Sequence, residues 1–234
     1  MTARLEEYPT RQAQAGQVAA TVAADLARAL AAAGRASLAL PGGTTPVGLC
    51  EALAGVELDW AAVTVFVTDE RWVPLTDGRS NTGSLRRHLL RGAARAAQVI
   101  DLWTGDPDPA EGAALLSARL AGHLPLSSLV LGMGDDLHIA GLFPDIPAAA
   151  AAMRADAAPV VAVEGPPTSP GGPPEPRVSL SLPVLAAARH GHLLIQGAAK
   201  RAALERALAL PPGTDPLRAP VAALLPSLTV HWAP

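Results

Sequence analysis

One cysteine, Cys50, stands among 234 residues. No disulfide can form within the chain, which fits a reducing, cytoplasmic setting. Aromatic residues are scarce at 3%, so the core must be aliphatic and, with alanine so abundant, rich in helix. No apolar run approaches the ~20 residues a membrane helix needs. The opening stretch MTARLEEYPT lacks the apolar centre of a secretory signal. Strong charge of one sign is missing too. A net charge of −3 predicts no general affinity for nucleic acid or an anionic membrane. C-x-x-C and H-E-x-x-H are absent, so no zinc site is expected. Without G-x-S-x-G a serine hydrolase is not expected.

What is present suits one domain over residues 1–234. A compact chain of this length buries roughly 70–75% of its unfolded surface. Val18, Val22, Leu26 and Leu30 recur every four residues within 12–33. That stripe predicts an amphipathic helix, with Gly34 as its stop. Short apolar runs predict buried strands at Ser37–Leu40, Val63–Val67, Val99–Trp103, Leu129–Leu131, Val160–Val163, Val178–Leu182, His192–Gln196 and Leu228–Trp232. Helices are predicted between them, including Val47–Leu53 with Thr45 as N-cap and Pro46 at its first position. The Pro/Gly-rich run 165–176 reads as a mobile loop. Alternation along the whole length implies βαβ units, hence an α/β fold with a mostly parallel sheet covered by helices on both faces.

Four predicted strands end in polar, glycine-bearing or charged loops, at Gly42, Asp69, Gly132 and Gly197. In a parallel sheet those ends share one edge, where open sheets bind ligands. Gly42-Gly43-Thr44-Thr45 between strand and helix suits an anion cradle, or an ordinary strand-to-helix turn. Asp69-Glu70-Arg71 directly after a buried strand is costly to bury unless paired or used on a ligand. Its other reading is a surface loop with a local Glu–Arg pair. In LVLGMGDDLHIAGLFP, residues 129–144, a strand delivers glycine, carboxylate and His138 within a few residues. The second reading is a turn whose aspartates cap a helix and whose histidine lies in the core. Gly132-Met133-Gly134 lacks the third glycine of a dinucleotide fingerprint. The histidines at 88, 123, 190, 192 and 231 read as structural.

Taken in order, PGGTTP, DERWVP with Ser80-Asn81, LGMGDDLHIAGLFP, RVSLSLPVLAAARH and QGAAK resemble the 6-phosphogluconolactonase family over residues 36–232. The resemblance implies a single Rossmann-like domain related to sugar-phosphate isomerases and deaminases. It implies hydrolysis of the ring ester of 6-phospho-D-glucono-1,5-lactone in the oxidative pentose phosphate pathway, without metal or cofactor. By motif position His138 matches the catalytic histidine. Arg71 and Lys200 match residues near the substrate phosphate, and Gly42, Gly43, Thr44 and Thr45 match the loop lining that site. Asp136 is placed to orient the imidazole or the water. The partner is thus a small sugar-phosphate lactone, acted on by a monomer or weak homodimer.

Three residues depart from the family pattern. Leu137 stands where the family has glycine; a positive φ there costs leucine ~1–2 kcal/mol and bears on where His138 points. Ile139 and Gly141 replace hydroxyl residues. These departures keep a catalytically weakened sugar-phosphate binding protein in view. The H-I-A portion also resembles glucosamine-6-phosphate deaminases, whereas Leu142-Phe143-Pro144 and the D-E-R segment favour the lactonase.

Overall fold

The computed structural model describes residues 4–170 and 172–234. Met1–Ala3, in the N-terminal stretch read above, and Gly171, in the Pro/Gly-rich run, lie outside the described residues. The elements in chain order are β1 (Arg4–Glu7), α1 (Arg11–Ala33), β2 (Ala36–Leu40), α2 (Val47–Ala54), β3 (Val63–Val67) and β4 (Asp69–Arg71). Then follow α3 (Asn81–Leu89), β5 (Gln98–Val99), α4 (Pro109–Leu120), β6 (Ser128–Leu131), α5 (Ala150–Met153), β7 (Val160–Gly165) and β8 (Glu175–Leu180). The chain closes with α6 (Leu182–Ala186), β9 (Gly191–Gln196), α7 (Gly197–Leu208), α8 (Pro220–Leu224) and β10 (Leu228–Ala233).

The main sheet has seven strands in the order β1-β10-β9-β6-β2-β3-β5, and every pairing in it is parallel. Its central strands are apolar without alternation because both faces are covered. β2, β3 and β6 are buried at every residue. Helix α1 begins at Thr10, whose hydroxyl accepts from the N–H of Ala13, and stops at Gly34 in the left-handed conformation, φ +66°. Its stripe Val18, Val22 and Leu26 is fully buried. None of the described helices is long and apolar enough to cross a membrane.

Several expectations are corrected. The parallel alternation does not run the whole length: β4, β8 and β7 form a separate three-stranded antiparallel sheet. The chain changes sheets at Thr68, whose N–H donates to Leu40 O at 2.9 Å and whose carbonyl accepts from Leu180 N–H at 2.9 Å. The charged segment read as a loop is therefore a strand, paired Asp69 to Ser179 and Arg71 to Arg177. β1 was not anticipated, and of the strand expected at 99–103 only Gln98–Val99 forms. Thr45 does not cap α2. Pro46 holds the cap position without a side-chain bond, so the Thr45 hydroxyl is left to the cavity described below.

A buried polar chain ties the residue after β1 to β10, β9, α1 and β6 and explains two of the structural histidines. Tyr8 Oη lies 2.7 Å from His231 Nδ1, His231 Nε2 lies 3.1 Å from His192 Nδ1, and His192 Nε2 lies 2.8 Å from Asp25 Oδ2. Ser128 Oγ donates to the same Asp25 oxygen. One assignment with neutral imidazoles satisfies the chain, each ring donating toward Asp25.

This chain predicts an acid limit to stability. Burial pushes His231 down to about 4, with the neighbouring His192 adding to the effect and Glu6 and Asp25 opposing it. Unfolded, the ring returns to about 6.5. Between those values the unfolded chain binds a proton that the folded chain refuses. Stability is therefore complete above pH 6.5 and falls as pH drops toward 4, by about 2 kcal/mol between pH 7.5 and 5. Urea unfolding across that range measures it. A flat profile would show that the folded imidazole accepts the proton.

Candidate active site

The carboxyl ends of β2, β3, β6 and β9 open on one cavity of about 350 Å³. Gly42, Gly43, Thr44, Thr45, Arg71, His138 and Lys200 all line it. Asp136 does not line it; it stands behind His138. Three polar side chains in the lining were quoted in motifs without a role: Asp69, Asn81 and Arg177.

The glycine loop is shaped by its neighbour across the sheet edge. A Cβ on Gly42 would lie 2.0 Å from Asn81 Oδ1. Only glycine fits beneath that side chain, whose Nδ2 donates to Asp69 O at 2.8 Å. Gly43 turns the chain with φ +86°. Among the described residues no acceptor faces the N–H groups of Gly43 and Thr44, so they remain available to a ligand.

The three charges after β3 have three different tasks. Glu70 is fully buried and caps α3. It accepts from Ser80 Oγ (3.0 Å), Asn81 N–H (2.7 Å), Thr82 N–H (2.7 Å) and Arg71 N–H (2.9 Å). Burial holds its pKa above the ordinary value, against the pull of those donors. Asp69 pairs with Arg177 Nη1 at 3.3 Å. Arg71 donates through Nη1 to Arg79 O, while its Nε is buried without a partner. The local Glu–Arg side-chain pair considered from sequence does not form.

Arg177 enters from β8 and is held by Asp69 and by Glu175 Oε2 at 2.5 Å. Its guanidinium lies 5.3 Å from the centre of the Phe143 ring, and its Nε too is buried without a partner. Two arginines, each braced and each with an unused donor, therefore share the cavity wall. Lys200, the chain's one lysine, reaches the cavity from the first turn of α7. Its Nζ meets Asp135 Oδ1 at 3.0 Å.

Beyond β6 the chain turns tightly enough to set acid against imidazole. Asp136 Oδ1 lies 2.6 Å from His138 Nδ1 and also accepts the His138 N–H at 3.2 Å. Although burial works to raise it, the His138 contact holds the pKa of Asp136 below its ordinary value. The pair needs Gly134: a Cβ there would lie 2.1 Å from His138 Nδ1 and 2.2 Å from Asp136 Oδ1. With Nδ1 directed at the carboxylate, the lone pair of His138 sits on Nε2. The amides of Gly134, Leu137 and His138 are all engaged within the loop. Those three amides are therefore not free to meet an oxyanion, whereas those of Gly43 and Thr44 are.

The departures now have physical accounts. Leu137 has φ +73°, the left-handed backbone suspected from sequence. The loop is held from outside: Val221 N–H donates to Leu137 O at 3.3 Å, and Arg206 donates to Asp135 O at 2.7 Å. The Asp136–His138 contact stays short despite the strain. Gly141 is required, since a Cβ would lie 2.9 Å from Ser179 Cβ. The Ser179 hydroxyl instead accepts the Gly141 N–H at 3.0 Å. Ile139 is fully buried.

An acid-oriented imidazole, three cationic side chains and a glycine loop thus line one cavity of an α/β fold, an arrangement suited to a phosphorylated substrate. The sequence profile described as glucosamine-6-phosphate isomerases/6-phosphogluconolactonase matches residues 9–232, and the chain belongs to that family. It is 42% identical over 237 residues to the 6-phosphogluconolactonase of Pseudomonas aeruginosa, covering 98% of this chain and 94% of that one. It is 40% identical over 228 residues to that of Pseudomonas putida, covering 95% and 91%. Among solved structures, the 6-phosphogluconolactonase of Shewanella baltica matches with a TM-score of 0.91 and 29% identity, covering 99% of this chain and 98% of that one.

Proposed function

We propose that the protein hydrolyses 6-phospho-D-glucono-1,5-lactone to 6-phosphogluconate, as a single-domain cytoplasmic enzyme of the oxidative pentose phosphate pathway. The observation that carries this reading is the Asp136–His138 contact of 2.6 Å set in one cavity with Arg71, Arg177 and Lys200. His138 Nε2 takes a proton from water as its oxygen bonds to the lactone carbonyl carbon. Asp136 fixes the tautomer and stabilises the imidazolium that forms. The carbonyl oxygen becomes an oxyanion, met by the amides of Gly43 and Thr44. Collapse breaks the bond from carbonyl carbon to ring oxygen, and the imidazolium returns its proton to the leaving hydroxyl. The phosphate is gripped by the guanidiniums of Arg71 and Arg177 and by Lys200, with Thr45 lining the same cavity.

A coupled assay on freshly made lactone tests this. The protein should open the lactone faster than the spontaneous rate and release no ammonia from glucosamine 6-phosphate. Ammonia release without lactone turnover would make it a deaminase. Arg177→Ala and Lys200→Ala should each raise KM at least tenfold with a smaller change in kcat, since the grip is the same in ground and transition state.

Leu137→Gly should leave kcat within about twofold of the parent. The catalytic contact is already short, so relief of about 1–2 kcal/mol of backbone strain has nothing to realign. A tenfold gain in rate would show that leucine displaces the histidine.

A further inference from the structure

The opposite edge of the main sheet, where its strands begin, carries a second polar cleft. Ser37 lies at the start of β2, Ser127 just before β6, and Arg189 just before β9. With Arg35 and His123 they line a cleft of about 100 Å³ that no carboxylate enters. Both serines are buried, at 4% and 7% exposure. They bond reciprocally: the N–H of each donates to the other's hydroxyl oxygen at 3.1 Å. Each oxygen therefore accepts, and among the described residues neither hydroxyl proton has an acceptor. A buried donor without an acceptor is costly, so these two call for an outside partner.

The charges around them point the same way. Some surface arginines lie on carboxylates, as Arg79 does on Asp77, Arg86 on Asp101, Arg154 on Asp156 and Arg201 on Glu205, and others do not. Among the described residues Arg35 and Arg189 have no such partner. Burial, and then the charge of Arg35, hold the pKa of His123 below its ordinary value.

We propose that this cleft is a binding site for a small oxyanion of the phosphate type, held by the hydroxyls of Ser37 and Ser127 and the guanidiniums of Arg35 and Arg189. Hydroxyl donors and guanidinium forks suit tetrahedral oxygens. The cleft is far smaller than the cavity of about 350 Å³ at the other edge, so it takes the anionic group and leaves any organic part in solvent. It is separate from that cavity: the five residues of β2 span roughly 17 Å at about 3.3 Å each.

The test follows the imidazole protons of His123, assigned with His123→Gln, during titration with inorganic phosphate at constant pH and ionic strength. The His123 signal should move to saturation and its pKa rise, because an adjacent anion favours imidazolium. An Arg35→Gln/Arg189→Gln protein should weaken this binding at least tenfold while keeping lactone turnover. Titration with 6-phosphogluconate distinguishes the occupants: saturation at lower concentration than phosphate identifies a phosphate monoester, and the reverse identifies the free ion. A His123 signal that does not move, that moves equally with chloride, or that saturates unchanged in the double variant overturns the site.

Discussion

A His138→Ala protein keeps its fold and loses about 10²–10⁴-fold of its lactone-opening rate, the usual contribution of general-base catalysis. That corresponds to about 3–5 kcal/mol of barrier. The ring is about a third exposed, so truncation opens no sealed core cavity. Its partners are Asp136 and the Phe143 ring, 4.4 Å away between centres. The loss should fall on kcat and leave KM nearly unchanged, because the proposed phosphate contacts lie on β4, β8 and α7. Asp136→Asn should lower kcat by a smaller factor, since the amide can hold the ring but cannot stabilise its charged form. Steady-state rates, with a thermal melt to verify folding, decide the matter. Full activity in His138→Ala would remove the imidazole from the mechanism.

Glu70→Ala should destabilise the protein by about 3–5 kcal/mol, the range for removing one partner of a buried charged network. The carboxylate is fully buried and satisfies four donors from β4 and the start of α3. Alanine leaves all four facing an apolar void. Glu70→Gln should cost less, since its carbonyl oxygen still accepts although its amide opposes a donor. The same change should raise KM, because Asn81 and Arg71 hang from the segments that Glu70 joins. Urea unfolding gives the stability, and a cost under about 1 kcal/mol would show that water replaces the carboxylate.

Glu70 also shows where reading the chain alone stops. Three charges after a buried strand announced that something was paired, and that was correct. Which partner each would take depends on residues about 10 and 108 positions away, and no local pattern encodes that. Arg177 was overlooked for the same reason. It stands in a strand whose flanking serines suggest a solvated face, and its aim into the cavity follows only from antiparallel pairing with β4.

What the sequence by itself determined is the part governed by local physics. Continuous apolar runs marked β2, β3 and β6 because strands buried on both faces need no alternation. A stripe every fourth residue marked α1, and glycines with hydroxyls after β2 marked a loop that lines the cavity. Asp136 and His138, two residues apart, could meet through a tight turn. Tertiary structure alone decided the second sheet, the switch of sheets at Thr68, the bracing of Arg71 and Arg177, and the retention of leucine at φ +73°. Each of these depends on contacts between segments distant in the chain. Packing and hydrogen bonds from other elements, such as Val221 on Leu137, hold a conformation that the local sequence would not choose.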